Sequence, residues 1–177
     1  MPYARKSERK IQIYGITGKK RSGKDSFATY IKEFNKNFTI IRFADDLKQM
    51  VSNIWGFSLD DTESQDAKAK IFNTPVEMDA YLPAMVSQTG LPLTKLGIKA
   101  NSLRELLQYF GSEYVRGKCD SYWVDRVIAK ASRLRNKILI TDCRFENEAA
   151  AIRTIGGKIV RVTRMDAPVP KDSHMSE

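Results

Sequence analysis

The chain has 177 residues, 42% of them hydrophobic and 29% charged, and its formal net charge is +9. That length and composition suit one globular domain with a sizeable core, not a disordered tail or a fibre. One histidine and two cysteines exclude a disulfide framework, zinc held by Cys/His clusters and any two-histidine site.

The excess charge calls for an anionic partner: nucleic acid, an anionic membrane surface or a small polyphosphate. The N-terminal MPYARKSERK is basic and lacks the apolar stretch of a secretory signal. No apolar run approaches the roughly 18 residues of a membrane span. A reducing cytoplasm is the expected location, and no membrane is expected as a partner.

Taken in chain order, the apolar run IQIYGI (Ile11 to Ile16) is expected to be a strand. It ends in a glycine-bearing stretch. From Asp25 to Phe34 the residues Phe27, Tyr30, Ile31 and Phe34 recur at helical spacing. A β-branched and aromatic strand follows (Phe38 to Phe43), then a helix from about Asp45 to Trp55. Residues 56–100 break the pattern with the acidic DDTESQD and a Pro/Gly-dotted stretch, and read as an insertion within a single domain spanning 1–177. Helices resume at Ser102 to Phe110 and Tyr122 to Leu134. KILIT (Lys137 to Thr141) is a strand, ENEAAAIRTI a helix and GKIVRVT (Gly157 to Thr163) a further strand. Strands alternating with helices predict an α/β fold, a three-layer parallel sheet with helices on both faces.

The most informative stretch is Gly18-Lys19-Lys20-Arg21-Ser22-Gly23-Lys24-Asp25-Ser26. It fits G-x-x-x-x-G-K between a strand and a helix, the context in which backbone N–H groups cradle a phosphate chain and a helix N-terminus adds partial positive charge. Lys24 would reach the β- and γ-phosphates as a point charge. The residue after the lysine is usually Ser or Thr, whose hydroxyl ligates Mg²⁺. Here it is Asp25, followed by Ser26. Asp25 can hold magnesium or polarise an incoming group, or it can simply complement the helix dipole.

A second signal is Thr141-Asp142-Cys143-Arg144, directly after KILIT. A carboxylate at the carboxyl end of a strand suits a second magnesium-directing group in a phosphate-loop enzyme, with Arg144 facing phosphate oxygens as a planar fork. The plainer alternative makes Asp142 a helix N-cap and Arg144 a surface charge.

The loop KKRSGKDS, RFADDLK (Arg42 to Lys48), LLQYFGSEYVR (Leu106 to Arg116), YWVDRV (Tyr122 to Val127) and TDCRFENEAAAIRTIGGKIVRVTR resemble, in order, the bacteriophage deoxynucleoside monophosphate kinases. These are phosphate-loop proteins of the adenylate-kinase-like group, and the likeness runs from about Gln12 to Arg164. An aspartate follows the loop lysine in that family too. The resemblance implies transfer of the γ-phosphoryl of ATP to a deoxynucleoside 5′-monophosphate with Mg²⁺. It implies that Gly18 to Ser26, with Lys20, Arg21, Ser22 and Gly23 among them, cradle ATP phosphates, and that Arg164 lies against ATP. It places Asp45, Lys48, Arg104, Gln108, Arg116 and Trp123 around the acceptor, with Asp142, Arg144 and Glu148 completing the site between the two phosphates. Magnesium falls to Asp25, Ser26 and Asp142. For Trp123 and Gln108 the competing role is helix packing; for Lys48 and Arg104 it is a solvated helix face. Kinases of this group continue into a closing lid and a fifth strand. Ser173-His174-x-Ser176-Glu177 resembles the start of that segment, so the domain is expected to lack its last strand and lid.

Other readings compete. One keeps the phosphate loop but takes another small phosphorylated acceptor, such as a pantetheine or mevalonate phosphate. Another is a nucleic-acid-binding module using the basic N-terminus and loop, with the cluster Arg5, Lys6, Arg9 and Lys10, for which aromatic interleaving is thin. A further one is an inactive phosphate-loop homologue left without its lid. Positive charge concentrated at the N-terminus and phosphate loop favours polyphosphate over duplex binding. The base of the acceptor is left open, as is a homodimer.

Overall fold

The computed structural model describes residues 12–19, 22–134 and 136–164. The chain forms two units, one from the residues up to Arg42 together with those from Arg126 onward, the other from Phe43 to Asp125. The irregular stretch 56–100 lies inside the second.

The first unit is built on a parallel sheet of four strands: β1 (Ile13–Thr17), β2 (Phe38–Ile41), β5 (Lys137–Ile140) and β6 (Lys158–Arg161). Their order is β2-β5-β1-β6. The registers Ile13↔Ile138 and Gly15↔Ile159 fix the central strand between its neighbours. Alternation puts opposite faces of β1 against different helices. Ile16 packs with Ala28 of α1 (Lys24–Phe34) and with Leu139. On the other face, a Cβ on Gly15 would meet the Ile152 side chain of α8 (Glu146–Thr154) at 2.7 Å. Helices therefore cover both faces, and the expected α/β architecture is the one observed. Ile13, Ile16, Ile138, Leu139 and Ile140 are all buried, as strands of a parallel sheet must be when helices flank it on both sides.

All four strands run the same way, so the phosphate loop leaves β1 at the same end at which Thr141 leaves β5. Two backbone bonds tie that end together: Cys143 N–H donates to the Ile16 carbonyl at 3.3 Å, and Val162 N–H to the Thr17 carbonyl at 2.8 Å. In an open parallel sheet this is the edge where ligands bind.

The second unit holds α2 (Ala44–Trp55), α3 (Leu59–Glu63), α4 (Gln65–Ala69), α5 (Leu82–Thr89), α6 (Leu103–Gln108), and the antiparallel pair β3 (Ile71–Glu77) and β4 (Lys99–Ser102). Helix α7 (Tyr122–Arg133) contributes residues to both units. The core of the second unit gathers Met50, Val51, Met78, Leu82, Met85, Leu103, Leu106, Phe110, Tyr114 and Trp123. Burying the larger of these side chains stabilises the fold by about 1.5–3 kcal/mol each.

Two features depart from the pattern expected of the sequence. Residues 71–77 and 99–102 form strands that alternation does not reveal: β3 carries Pro75, most of its residues are exposed, and its register shifts between Ile71 and Val76. The helix expected to end at Phe110 continues as a π-helical stretch, Tyr109–Arg116. Wide π turns are local insertions that neither a propensity nor a 3.6-residue period reports. Here Gly111 lets the backbone approach Leu47, whose side chain a Cβ would meet at 2.9 Å. The loop between α5 and β4 is pinned by Asp79, which accepts the N–H groups of Leu96 (2.7 Å) and Gly97 (3.0 Å). Those bonds hold its carboxyl below the usual aspartate range.

Candidate active site

Gly18 leaves β1 with φ +153°, and a Cβ there would collide with the Val162 carbonyl and come within 2.7 Å of Ser22 Oγ. Gly23 enters α1 in the left-handed region, φ +91°, with open space where a Cβ would stand. Both conformations favour glycine, one also because of a close backbone approach. Gly23 provides no side-chain cap for α1, so the first N–H groups of that helix are not taken by a capping oxygen. Between the glycines the loop closes on itself, Ser22 N–H donating to the Lys19 carbonyl at 3.1 Å. Lys20 and Arg21 lie outside the described residues, as do the basic cluster of residues 5–10 and the segment 165–177.

Lys24 folds back over this loop. Its Nζ donates to the Gly18 carbonyl at 2.7 Å and to the Lys19 carbonyl at 2.8 Å. Partial burial is the main reason its pKa lies below the ordinary lysine value of 10.5; the Arg144 charge lowers it further, while Asp25 and Asp142 oppose the shift. Arg144 and Asp142 of the TDCR turn thus stand within electrostatic range of the loop lysine. Asp25 is exposed and its Oδ1 stands 4.0 Å from Arg42 Nε. Ser26 is exposed as well.

Asp142 is half-buried and Arg144 exposed, whereas Glu148 is 1% exposed. Glu148 Oε2 accepts the backbone N–H of Arg144 at 2.7 Å and of Phe145 at 3.1 Å. That carboxylate is spent on the backbone that presents Asp142 and Arg144; it shapes the turn from inside. Arg164 is exposed just past β6. Two hydroxyls at this end of the sheet, Ser22 Oγ and Thr141 Oγ1, are buried without a hydrogen-bond partner among the described residues. Buried hydroxyls of this kind favour a polar ligand or an ordered water.

Cys143 sits inside the same turn. Burial, reinforced by Glu148 and Asp142, pushes its thiol up to about 12. Cys119 is free and only half-buried. Because the thiolate is the reactive form, a disulfide reagent at pH 8 should titrate one thiol in the native protein and two after unfolding. Two fast native thiols would show that the turn is open.

The remaining expected residues belong to the second unit. Lys48 pairs with Glu63 at 2.7 Å, and Arg104 Nη2 donates to Gln65 Oε1 at 3.0 Å. Asp45, Gln108 and Arg116 are half-buried. Trp123 is 3% exposed, and its Nε1 donates to the Gly111 carbonyl at 3.1 Å while Tyr122 packs against its ring edge-on. The indole is thus core of its unit, and the helix-packing role describes it as it stands. Arg42, not among the expected site residues, directly follows the apolar strand β2 and lies 4.0 Å from Asp25, a charge at the same end of the sheet as Asp142.

Among the described residues no group of three or more His, Cys, Asp or Glu is arranged to hold a metal. Magnesium is commonly bound through one or two carboxylates and substrate phosphates, so an oxygen-only set of Asp25, Ser26 and Asp142 beside a phosphate loop fits that ion.

A family model described as deoxynucleotide monophosphate kinase matches residues 85–177, 93 of the 177. The chain belongs to the deoxynucleotide monophosphate kinase family. The match takes in Arg104, Gln108, Arg116, Trp123, Asp142, Arg144, Glu148 and Arg164, and the phosphate loop lies upstream of it. Membership makes the protein a nucleotide kinase, acting in deoxynucleotide metabolism. No curated protein compared with the chain matches it. Among the described residues no helix is long and apolar enough to cross a membrane.

Proposed function

We propose that the protein transfers the γ-phosphoryl group of ATP to a deoxynucleoside 5′-monophosphate, with Mg²⁺. The observation that carries this reading is Lys24, held over a glycine-flanked loop and within electrostatic range of both Asp142 and Arg144. In this reading the loop backbone from Gly18 to Ser26 and the uncapped first turn of α1 bind the ATP phosphates, and Arg164 supports the nucleotide. An oxygen of the acceptor phosphate forms a bond to the γ-phosphorus as the bond to the β–γ bridging oxygen breaks, giving ADP and the deoxynucleoside diphosphate.

Transfer of this kind needs position and charge compensation more than covalent chemistry. Lys24 exchanges the Gly18 and Lys19 carbonyls for phosphate oxygens and stabilises charge on the transferring group. Arg144, on a turn braced by Glu148, supplies a bidentate donor to the same oxygens. Asp25, Ser26 and Asp142 would hold magnesium, which when bound neutralises charge on the β- and γ-phosphates. Lys48, Arg104, Arg116, Asp45 and Gln108 bind the acceptor, and Trp123 supports them from the core of its unit.

A coupled assay of ADP release with dAMP, dCMP, dGMP and dTMP tests the acceptor. At least one should accelerate ATP consumption well above the rate with ATP alone. If none does while ATP binds, the acceptor is another small phosphate ester.

A further inference from the structure

One short segment already occupies two of the cations assigned to the acceptor. Helices α3 and α4 meet at Ser64, whose extended backbone (φ −64°, ψ 127°) ends the first and whose hydroxyl accepts from Ala67 N at 3.2 Å to cap the second. The start of α3 is fixed by a capping box: Ser58 Oγ accepts from Asp61 N at 3.0 Å, and Asp61 Oδ2 accepts from Ser58 N at 3.2 Å. Local caps therefore shape this corner, and it carries Glu63 and Gln65 on either side of its apex. Glu63 Oε1 accepts from Lys48 Nζ at 2.7 Å, and Gln65 Oε1 accepts from Arg104 Nη2 at 3.0 Å. The Lys48 side chain is 14% exposed and that of Glu63 56%.

We propose that Glu63 and Gln65 are positioning residues that stand in for the acceptor's phosphate. They hold Lys48 and Arg104 and surrender both to the phosphate of an arriving deoxynucleoside monophosphate. The proposal rests on the assignment of Lys48 and Arg104 to the acceptor. A phosphomonoester brings up to two negative charges and three acceptor oxygens, against one charge from Glu63 and a neutral amide from Gln65, so the exchange runs toward substrate. A carboxylate left in place would repel the incoming phosphate. The corner can give way cheaply: an ion pair with one solvated partner is weak, and each helix has only five residues, too short to be stable by itself.

Dissociation constants for the four deoxynucleoside monophosphates, measured by calorimetry without ATP, test this on the full chain, together with acceptor KM and kcat at saturating ATP. Glu63→Gln should bind the preferred monophosphate about three- to tenfold more tightly and lower its KM by a similar factor. Its kcat, KM for ATP and melting temperature should not change. Gln65→Ala should do the same more weakly. In a Lys48→Met background, which itself weakens acceptor binding, the gain from Glu63→Gln should vanish. Unchanged or weaker binding in Glu63→Gln, with Lys48→Met still impaired, would overturn the exchange and leave the acceptor assignment standing. Unimpaired binding in Lys48→Met would overturn both.

Discussion

Lys24→Ala should lower kcat/KM for ATP by about a thousandfold, the loss typical of removing one preorganised charge or donor from a transition state, and the protein should remain folded. The side chain makes two hydrogen bonds, both to carbonyls of its own loop. Alanine releases those carbonyls to water at the surface, so stability should change by no more than about 1 kcal/mol. Separating the two readouts matters: steady-state kinetics should collapse while the melting curve barely moves. The pH profile adds a check on the charge state. Lys24 must be protonated to hold phosphate, and its pKa is already lowered by burial and by Arg144. It therefore gives up its proton at lower pH than an ordinary lysine, and kcat/KM for ATP, which reports the free enzyme, should decline on the alkaline side before pH 10.5. A variant with wild-type turnover would remove Lys24 from the mechanism.

Gly18→Ala should be the most damaging single methyl group at the sheet edge. The new Cβ would run into the Val162 carbonyl and lie 2.7 Å from Ser22 Oγ, at a backbone angle that alanine rarely adopts. The Val162 carbonyl belongs to backbone pinned by the bond from Val162 N–H to Thr17, so it cannot turn aside as a side chain would. Overpacking and strain together should cost about 2–4 kcal/mol, and nucleotide binding should be lost with the loop's shape. Gly23→Ala is the control. Its φ of +91° is equally unfavourable for alanine, but nothing lies within 4 Å of the new atom, so the cost should be nearer 1–2 kcal/mol. Chemical denaturation of the two variants ranks them. Equal losses would mean that the collision at Gly18 is relieved by movement of β6.

The first unit was legible in the sequence because each of its parts has its own local signal. Apolar runs at 11–16, 38–43 and 137–141 read as strands, and the strands form at 13–17, 38–41 and 137–140; the glycines at 18 and 23 bracket a turn, and Asp142 follows the end of β5. Parallel strands with connecting helices admit few topologies, so local signals sufficed for the architecture. The second unit was legible only in its helices. Strands β3 and β4 pair across more than twenty residues, through a proline and a shifted register, and no window of sequence contains both. The π-helical turns of 109–116 were hidden for a different reason: the insertion that widens them is accommodated by Gly111, Leu47 and Trp123, residues far apart in the chain.

The site divided in the same way. Lys24 and Asp25 at the start of α1, and Asp142 and Arg144 after β5, stand out by position in the sequence. What a charge is spent on does not. Glu148 looked like a ligand-facing carboxylate and is instead buried under its own turn. Lys48 and Arg104, expected around the acceptor with a solvated helix face as the competing role, are engaged by Glu63 of α3 and Gln65 of α4. Trp123, expected around the acceptor, is buried in the core of its unit with its Nε1 donating to the Gly111 carbonyl. In each case the deciding partner comes from local backbone geometry or a distant segment, which residue type does not encode.

Phosphoryl transfer between nucleotides is tested most directly by following the phosphorus. With γ-³²P-labelled ATP, magnesium and each deoxynucleoside monophosphate in turn, the label should appear in a deoxynucleoside diphosphate with the wild-type protein and not with Lys24→Ala. Label found only in inorganic phosphate, or transferred equally well by the variant, would contradict the account.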